Sequence, residues 1–166
     1  MQKRKIINIK AQMLLKRKES IADFSDIEHR LNTIAKINDV EWINDSKASD
    51  ISATCFSMEV IEDPIVWIVG SNRREKDLNL IENIIKDKVC KIICYGAFDT
   101  SIKYAFTRFV DKYAYKSTLE DAVNIAAKWS DKGDVVLFSP ACTSYPNYID
   151  YRERGDHFIE LIKMLK

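Results

Sequence analysis

The chain has 166 residues, 46% hydrophobic and 31% charged, which suits one globular domain with a real core and leaves no room for a second full one. With 26 Lys and Arg against 25 Asp and Glu, the net charge of +1 supplies no global field for nucleic acid or an acidic membrane surface, so any anion site must be local. The longest apolar runs, such as Pro64 to Val69, are far short of the roughly 20 residues of a bilayer-spanning helix. Met1-Gln2-Lys3-Arg4-Lys5 leads into a stretch broken by Asn8, Lys10 and Gln12 rather than into a signal peptide, so a cytoplasmic protein is expected.

In chain order, Ile6 to Ile21 carry a basic helical pattern, and Ser25 to Arg30 read as a connector. Leu31 to Ile37 and Val40 to Asn44 flank Asn38-Asp39, the composition of a tight hairpin turn. A helix is expected to begin at Ser49-Asp50, where both side chains are good N-caps. Strands and helices then alternate: a strand over Ile65 to Val69, a helix over Leu78 to Lys88, a strand over Lys91 to Tyr95 and a helix over Thr100 to Phe109. A short strand at Lys112 to Ala114 precedes a helix from Thr118 to Trp129, whose Leu119, Ala122, Val123 and Ala126 share one face. Asp134 to Phe138 form the last strand and Asp150 to Leu165 the last helix. This alternation predicts an α/β, Rossmann-like doubly wound fold, with a mostly parallel sheet, one antiparallel hairpin strand and helices on both faces.

Ligands of such folds bind beyond the carboxyl ends of the strands, which points to Asp45-Ser46-Lys47, Gly70 to Lys76, Gly96-Ala97-Phe98 and Ser139 to Asn147. The four glycines, Gly70, Gly96, Gly133 and Gly155, are too far apart to write a dinucleotide fingerprint or a P-loop. There is no serine nucleophile elbow either, and only His29 and His157 are available for a triad. Cys90 and Cys94, four residues apart, read as buried thiols rather than metal ligands, and no metal site is expected.

Two clusters carry chemistry. In Trp42-Ile43-Asn44-Asp45-Ser46-Lys47-Ala48-Ser49, an apolar strand runs into a lysine and two hydroxyls beside a helix N-terminus, which suits a carboxylate or phosphate. From the spacing alone, Ser49 as a simple cap with Lys47 solvated is the reading favoured over a ligand site. In Leu137-Phe138-Ser139-Pro140-Ala141-Cys142-Thr143-Ser144-Tyr145, an apolar strand breaks into small and hydroxyl residues, as where a sheet presents N–H groups and hydroxyls to a small ligand. An ordinary surface turn, with Tyr148 and Tyr151 packing under the last helix, remains the alternative.

Together with Glu28-His29-Arg30-Leu31, Gly133 to Phe138 and Tyr151-Arg152-Glu153-Arg154-Gly155-Asp156-His157-Phe158, these clusters resemble the C-terminal domain of the Mur ligases. They are most similar to the branch that adds D-glutamate to UDP-N-acetylmuramoyl-L-alanine. The resemblance covers Ile21 to the end. It implies an ATP-dependent acid–amino-acid ligase of peptidoglycan precursor synthesis, in which a carboxylate is activated as an acyl phosphate and then attacked by the incoming amine. It implies that residues 25–166 are the amino-acid-binding domain, and that 1–24 are a helical remnant or linker from a central ATPase domain. ATP, Mg2+ and the UDP-linked substrate would be held mainly by domains this chain lacks, so the isolated domain is expected to be an inactive monomer, binding neither nucleic acid nor membrane.

Position by position, the resemblance makes Lys47 the catalytic group and sets Lys47, Ser49, Arg74, Ser144, Tyr145 and Tyr151 around D-glutamate. It makes His29, Arg30 and Asp45 nucleotide contacts. The chain also departs from the family. Gly70-Ser71-Asn72-Arg73-Arg74-Glu75-Lys76-Asp77 stands where the family reads G-G-x-x-K-G-x-D, so Arg74 replaces a lysine and Glu75 a glycine, and Pro146 replaces an aspartate. Arginine is longer and planar, so the exchange is not neutral. A free-standing binding module without ligase activity is the competing expectation.

Overall fold

The computed structural model describes residues 27–72 and 74–165. The expected helix over Ile6 to Ile21, the proposed 1–24 segment and the first two residues of the Ser25 to Arg30 connector lie outside the described residues.

The hairpin forms as expected. Strand β1 (Asn32–Ile37) pairs antiparallel with β2 (Val40–Asn44), and Asn38 and Asp39 turn between them with φ of 53° and 62°, the pair of left-handed residues a type I′ turn demands. Helix α1 (Ile51–Val60) starts at Asp50, whose carboxylate accepts from the Ala53 N–H. No basic residue lies in its last turn. Lys88 serves instead, its Nζ donating to the carbonyls of Met58, Glu59 and Ile61 at 3.2, 2.9 and 2.5 Å, where a cation meets the negative end of the helix.

Strand β3 (Ile65–Ser71) is buried along its whole length. The helix expected over Leu78 to Lys88 opens as a 3-10 turn at Leu78–Ile81 and becomes α2 at Glu82–Lys88. Strand β4 spans Val89–Gly96, longer at both ends than the alternation suggested. Helix α3 (Ser101–Phe106) stops three residues early, where Phe106 is already in the core and the Phe109 N–H turns back to its carbonyl. Strand β5 (Lys112–Lys116), helix α4 (Leu119–Trp129), strand β6 (Val135–Phe138) and helix α5 (Tyr151–Met164) follow. Thr118 and Asp150 cap the two helices, as good acceptors do.

The six strands lie in the order β1-β2-β6-β3-β4-β5, parallel except for the hairpin pair. The chain steps outward from β3 to β5 and then returns to insert β6 beside β3, so the strand order reverses at the β3/β6 boundary. Alternation along β3 sends Ile65, Trp67 and Val69 to one face, with Met58, Ile85 and Phe106, and Val66 and Ile68 to the other, with Val123, Ala126 and Phe158. A register shift at the start of the β3/β4 pair puts Cys90 on the face opposite Cys94, so the two thiols stand in different layers. All four cysteines are free.

At the amino end of the strands, buried Lys91 donates to Asp131 at 2.6 Å and to Asp134 at 2.9 Å. Lys91 and Asp134 are 5% and 7% exposed, whereas the Asp131 side chain is 81% exposed. Removing one member of a buried pair strands the other, while an exposed partner is replaced by water. Lys91→Ala is therefore expected to cost roughly 3 kcal/mol in urea denaturation and Asp131→Asn under about 1 kcal/mol. Equal losses would show that the pair does not act as a buried one.

Candidate functional site

The three loops at the carboxyl ends of β2, β3 and β6 are stitched to one another by backbone. The Asp45 N–H donates to Phe138 O at 2.8 Å, Ala141 N–H to Ala48 O at 3.0 Å and Gly70 N–H to Pro140 O at 2.8 Å. Ala141 takes φ of 52°, an unusual conformation for a residue with a Cβ, of the kind that collects at functional turns. Gly70 is required sterically, since a Cβ there would sit 2.5 Å from Cys142 Sγ.

Beneath these loops lies Arg154, 1% exposed. Its Nε donates to Ser46 Oγ at 3.0 Å, Nη2 to Ser46 O at 2.6 Å and Nη1 to Cys142 O at 2.8 Å. Ser46 in turn donates to Tyr151 O. One guanidinium thus ties the loop after β2 to the loop after β6 and both to α5. Arg154 belongs to the Tyr151 to Phe158 stretch on which the family resemblance rests, but it had no place in the expected site; its position one turn before the buried Phe158, among the apolar positions of the helix, was a further hint.

The nine expected site residues fall into distinct groups. Ser49 and Arg74 are exposed and line a hollow of about 290 Å³ with Glu75, Lys76 and Thr143. Ser144 and Tyr145 line a second hollow of about 460 Å³, with Tyr95, Ser117 and Arg154. Asn72 and Thr143 border both, and Asn72 Nδ2 donates to Thr143 Oγ1 at 3.0 Å, a polar bridge at the β3/β6 boundary that the expected set did not include. Lys47 lines neither hollow; its Nζ lies 5.0 Å from the centre of the Tyr151 ring and 3.5 Å from its hydroxyl. Tyr151 is also stacked under Arg152 at 4.9 Å. The six residues expected around the amino acid thus share one edge of the sheet but no single cavity.

Two of the three expected nucleotide contacts are interior. His29 is 2% exposed, with Nδ1 2.9 Å from Asn44 Nδ2 and its ring against Gly155, where a Cβ would come within 2.2 Å. Asp45 is 1% exposed; Oδ2 accepts from Ser139 Oγ at 2.7 Å and Oδ1 from the Leu31 N–H at 3.3 Å. Ser139 also pairs with Thr54 at 2.8 Å. Both carboxylate oxygens are thus occupied inside the fold. Arg30 is half-buried. His29 and Asp45, enclosed in this way, do not form a nucleotide seat as they stand. Among the described residues there is no group of three or more His, Cys, Asp and Glu side chains placed to hold a metal ion, and no helix is long and apolar enough to cross a membrane.

His29 and Leu31 take φ of 59° and 49°, so the chain enters the domain through a left-handed kink. The kink is held by the Leu31 bond to Asp45 and by the Lys47 N–H donating to His29 O at 3.0 Å. Holding a charged carboxylate there is costly: burial pushes the Asp45 pKa up to about 6, against the lowering effect of its hydroxyl and N–H donors and of Arg30.

No family model matches the chain. It is 39% identical over 148 residues, 89% of its length, to the UDP-N-acetylmuramoylalanine–D-glutamate ligase of Christiangramia forsetii, of which it covers 33%. Against the ligases of the same name from Porphyromonas gingivalis and Salinibacter ruber, it is 34% and 32% identical over 85% and 89% of its length, covering 31% and 32% of theirs. The chain spans about a third of the length of these curated relatives. Among solved structures, UDP-N-acetylmuramate-alanine ligase from Thermotoga maritima superposes with a TM-score of 0.58 at 13% identity, over 89% of this chain and 33% of that one. The MurF ligase of the same organism, in complex with ADP, superposes at 0.53 and 13%, over 83% and 31%. A domain of a ligase from Haemophilus ducreyi, matched over its whole length and 82% of this chain, superposes at 0.51 and 11%. These structural likenesses establish the fold.

A group whose folded pKa is raised favours the folded state at low pH, and that contribution is lost as pH rises from about 4, the unfolded value, to about 6. Asp45→Asn removes the titration while keeping an acceptor for Leu31. Relative to the parent chain, the variant is expected to gain roughly 2 kcal/mol on going from pH 4 to pH 7, read by urea denaturation at both pH values. A pH-independent difference would refute the buried, ionising carboxylate.

Proposed function

We propose, for a chain with the sequence and fold of a Mur ligase C-terminal domain, that it receives the amino acid in an ATP-dependent ligation of peptidoglycan precursor synthesis, and that the amino acid is D-glutamate. In that reaction the amine nitrogen attacks the carbonyl carbon of an acyl phosphate on UDP-N-acetylmuramoyl-L-alanine, an amide forms, and inorganic phosphate and a proton leave. ATP and Mg2+ are assigned to parts of the ligase that this chain does not span, and residues 25–166 to the amino-acid domain, with 1–24 as its link to them.

The observation that carries the reading is the placement of Ser49 and Arg74 in one hollow and of Lys47 over the Tyr151 ring, all at the carboxyl ends of the strands, in a chain similar to curated proteins named as D-glutamate ligases. A dicarboxylate needs a donor-rich seat at each end. Arg74 and Ser49 supply one across the smaller hollow. Lys47, steadied over the Tyr151 ring, supplies a cation for the other, with the Ser144 hydroxyl and Tyr145 at the edge of the larger hollow. Arg74 can grip a carboxylate bidentately where a lysine would act as a point charge. For His29 and Asp45 the reading is positional: they fix the entry kink and hence where Arg30 faces a nucleotide.

The altered loop, with Arg74 and Glu75 both in the wall of the smaller hollow, favours one second reading, a binding module that has lost ligase activity. Titration of the labelled chain with D- and L-glutamate, followed by NMR, separates the two. Saturable shifts at Ser49, Arg74 and Lys47 that prefer the D isomer are expected, weakened about tenfold in Arg74→Ala, as for loss of a charge-assisted hydrogen bond. A flat titration would favour the module. The chain alone is expected to form no UDP-N-acetylmuramoyl-L-alanyl-D-glutamate from ATP, and its appearance would overturn the placement of the ATP site elsewhere.

A further inference from the structure

The charge of the chain is unevenly shared. Residues 1–24 carry seven Lys and Arg against two Asp and Glu, whereas residues 25–166 carry 19 against 23. A segment of net +5 is thus joined to a domain of net −4, and opposite charges held on one short tether attract as far as salt leaves them unscreened. Apolar residues of the segment, among them Leu14, Leu15, Ile21 and Phe24, flank its Lys16-Arg17-Lys18 run.

The domain offers a surface that matches both features. A groove of about 220 Å³ runs between the β1–β2 hairpin and the end of α1. Its floor is Leu31, Ile43, Val60, Ile61 and Val135, an outlying part of the core layer that holds Met58 and Ile85. Its rim is acidic, with Glu41, Glu62 and Asp63, the last two exposed. Among the described residues none of these three carboxylates enters an ion pair, not even Glu41 with Lys36 opposite it across the hairpin. Lys88, beside the rim, directs its ammonium to three carbonyls at the end of α1 instead. Like charges around an apolar floor repel one another, and a cationic segment with apolar neighbours would relieve the repulsion and cover the floor together.

Position links groove and segment. Leu31, four residues after Ile27, lines the groove near the point where the chain enters the domain. Asn32 pairs with Asn44, and Val135 with Glu41, so the groove follows the strands for about three residues, roughly 10 Å. Arg17 stands ten residues before Ile27. Ten residues span roughly 15 Å at helical rise and about 33 Å when extended, so the basic run reaches the acidic rim in either conformation.

We propose that this groove is the docking site of the chain's own residues 14–24, with Ile21 and Phe24 over the apolar floor and Lys16-Arg17-Lys18 against Glu41, Glu62 and Asp63. The segment assigned above as a link then rests on the flank of the domain, apart from the hollows at the carboxyl ends of the strands. Only the bounds of the segment are taken from that assignment, and no amino acid enters the inference.

The test is NMR on the isotope-labelled 166-residue chain. Nuclear Overhauser contacts of Ile21 and Phe24 with the Ile43 and Val135 methyls are expected, and amides 16–21 should exchange at least about tenfold more slowly than in a free peptide of residues 1–24. Reversing two exposed rim charges, Glu62→Lys with Asp63→Lys, should abolish the contacts and remove that tenfold protection, while the core resonances stay in place. Contacts from the segment to another face, exchange at the rate of the free peptide, or protection unchanged in the double variant would overturn the docking. Contacts seen only between labelled and unlabelled copies would overturn it too, by making the occupant a second chain. Glutamate titration at Ser49 and Arg74 is read from other resonances, so either proposal can fail while the other stands.

Discussion

The candidate site depends on a single buried guanidinium. The loops after β2 and β6 come from opposite ends of the sequence, and neither has regular structure of its own at the strand ends. Arg154 gives both the same anchor, taking Ser46 O, Ser46 Oγ and Cys142 O at once. Only a planar fork of donors can do this; an ammonium would reach fewer of these acceptors in one geometry. Because Arg154 sits on α5, the last helix is coupled to the edge of the sheet, and Tyr151 three residues earlier is carried to Lys47.

Around that anchor the molecule accepts local costs that a purely structural edge would avoid. Ala141, His29 and Leu31 occupy left-handed backbone without being glycine, and Asp45 is enclosed as a carboxylate at 1% exposure. Such features persist where neighbouring contacts over-determine them, and here they do: Asp45 is held by Ser139 and Leu31, and His29 by Asn44, Gly155 and the Lys47 amide. All of them lie at one end of the sheet. The opposite end is closed by the Lys91–Asp134 pair, and the α1 terminus by Lys88, both ordinary solutions to burying charge and ending a helix. Strain and unmet electrostatics are therefore segregated from the stabilising pairs. This is the pattern expected where one face of a doubly wound sheet is kept for binding, at the point where strand order reverses.

Much of this was legible in the sequence. The Asn38-Asp39 turn, the caps at Asp50, Thr118 and Asp150, and the alternation of apolar strands with amphipathic helices all depend on residues within a few positions of one another, so local pattern suffices. The parallel sense of the sheet followed from the same alternation, because parallel strands need helical crossovers, whereas the order of the strands was not read from it. The two motif segments were recognisable as chemistry because each joins an apolar strand to a sudden run of hydroxyl and charged residues.

The arrangement of the site was not legible. Whether Asp45 faces a ligand or the core and whether Ser49 and Ser144 share a cavity are questions about residues scores of positions apart, and neither spacing nor periodicity encodes such distances. The sequence by itself determined the elements, their caps and the family likeness, since these rest on short-range sterics and hydrophobic period. Only the tertiary structure decided that the expected pocket is divided by Asn72 and Thr143, that His29 and Asp45 turn inward, and that Arg154 is buried beneath the loops. Each of those outcomes is set by which buried polar groups can satisfy one another once the loops have met over Arg154.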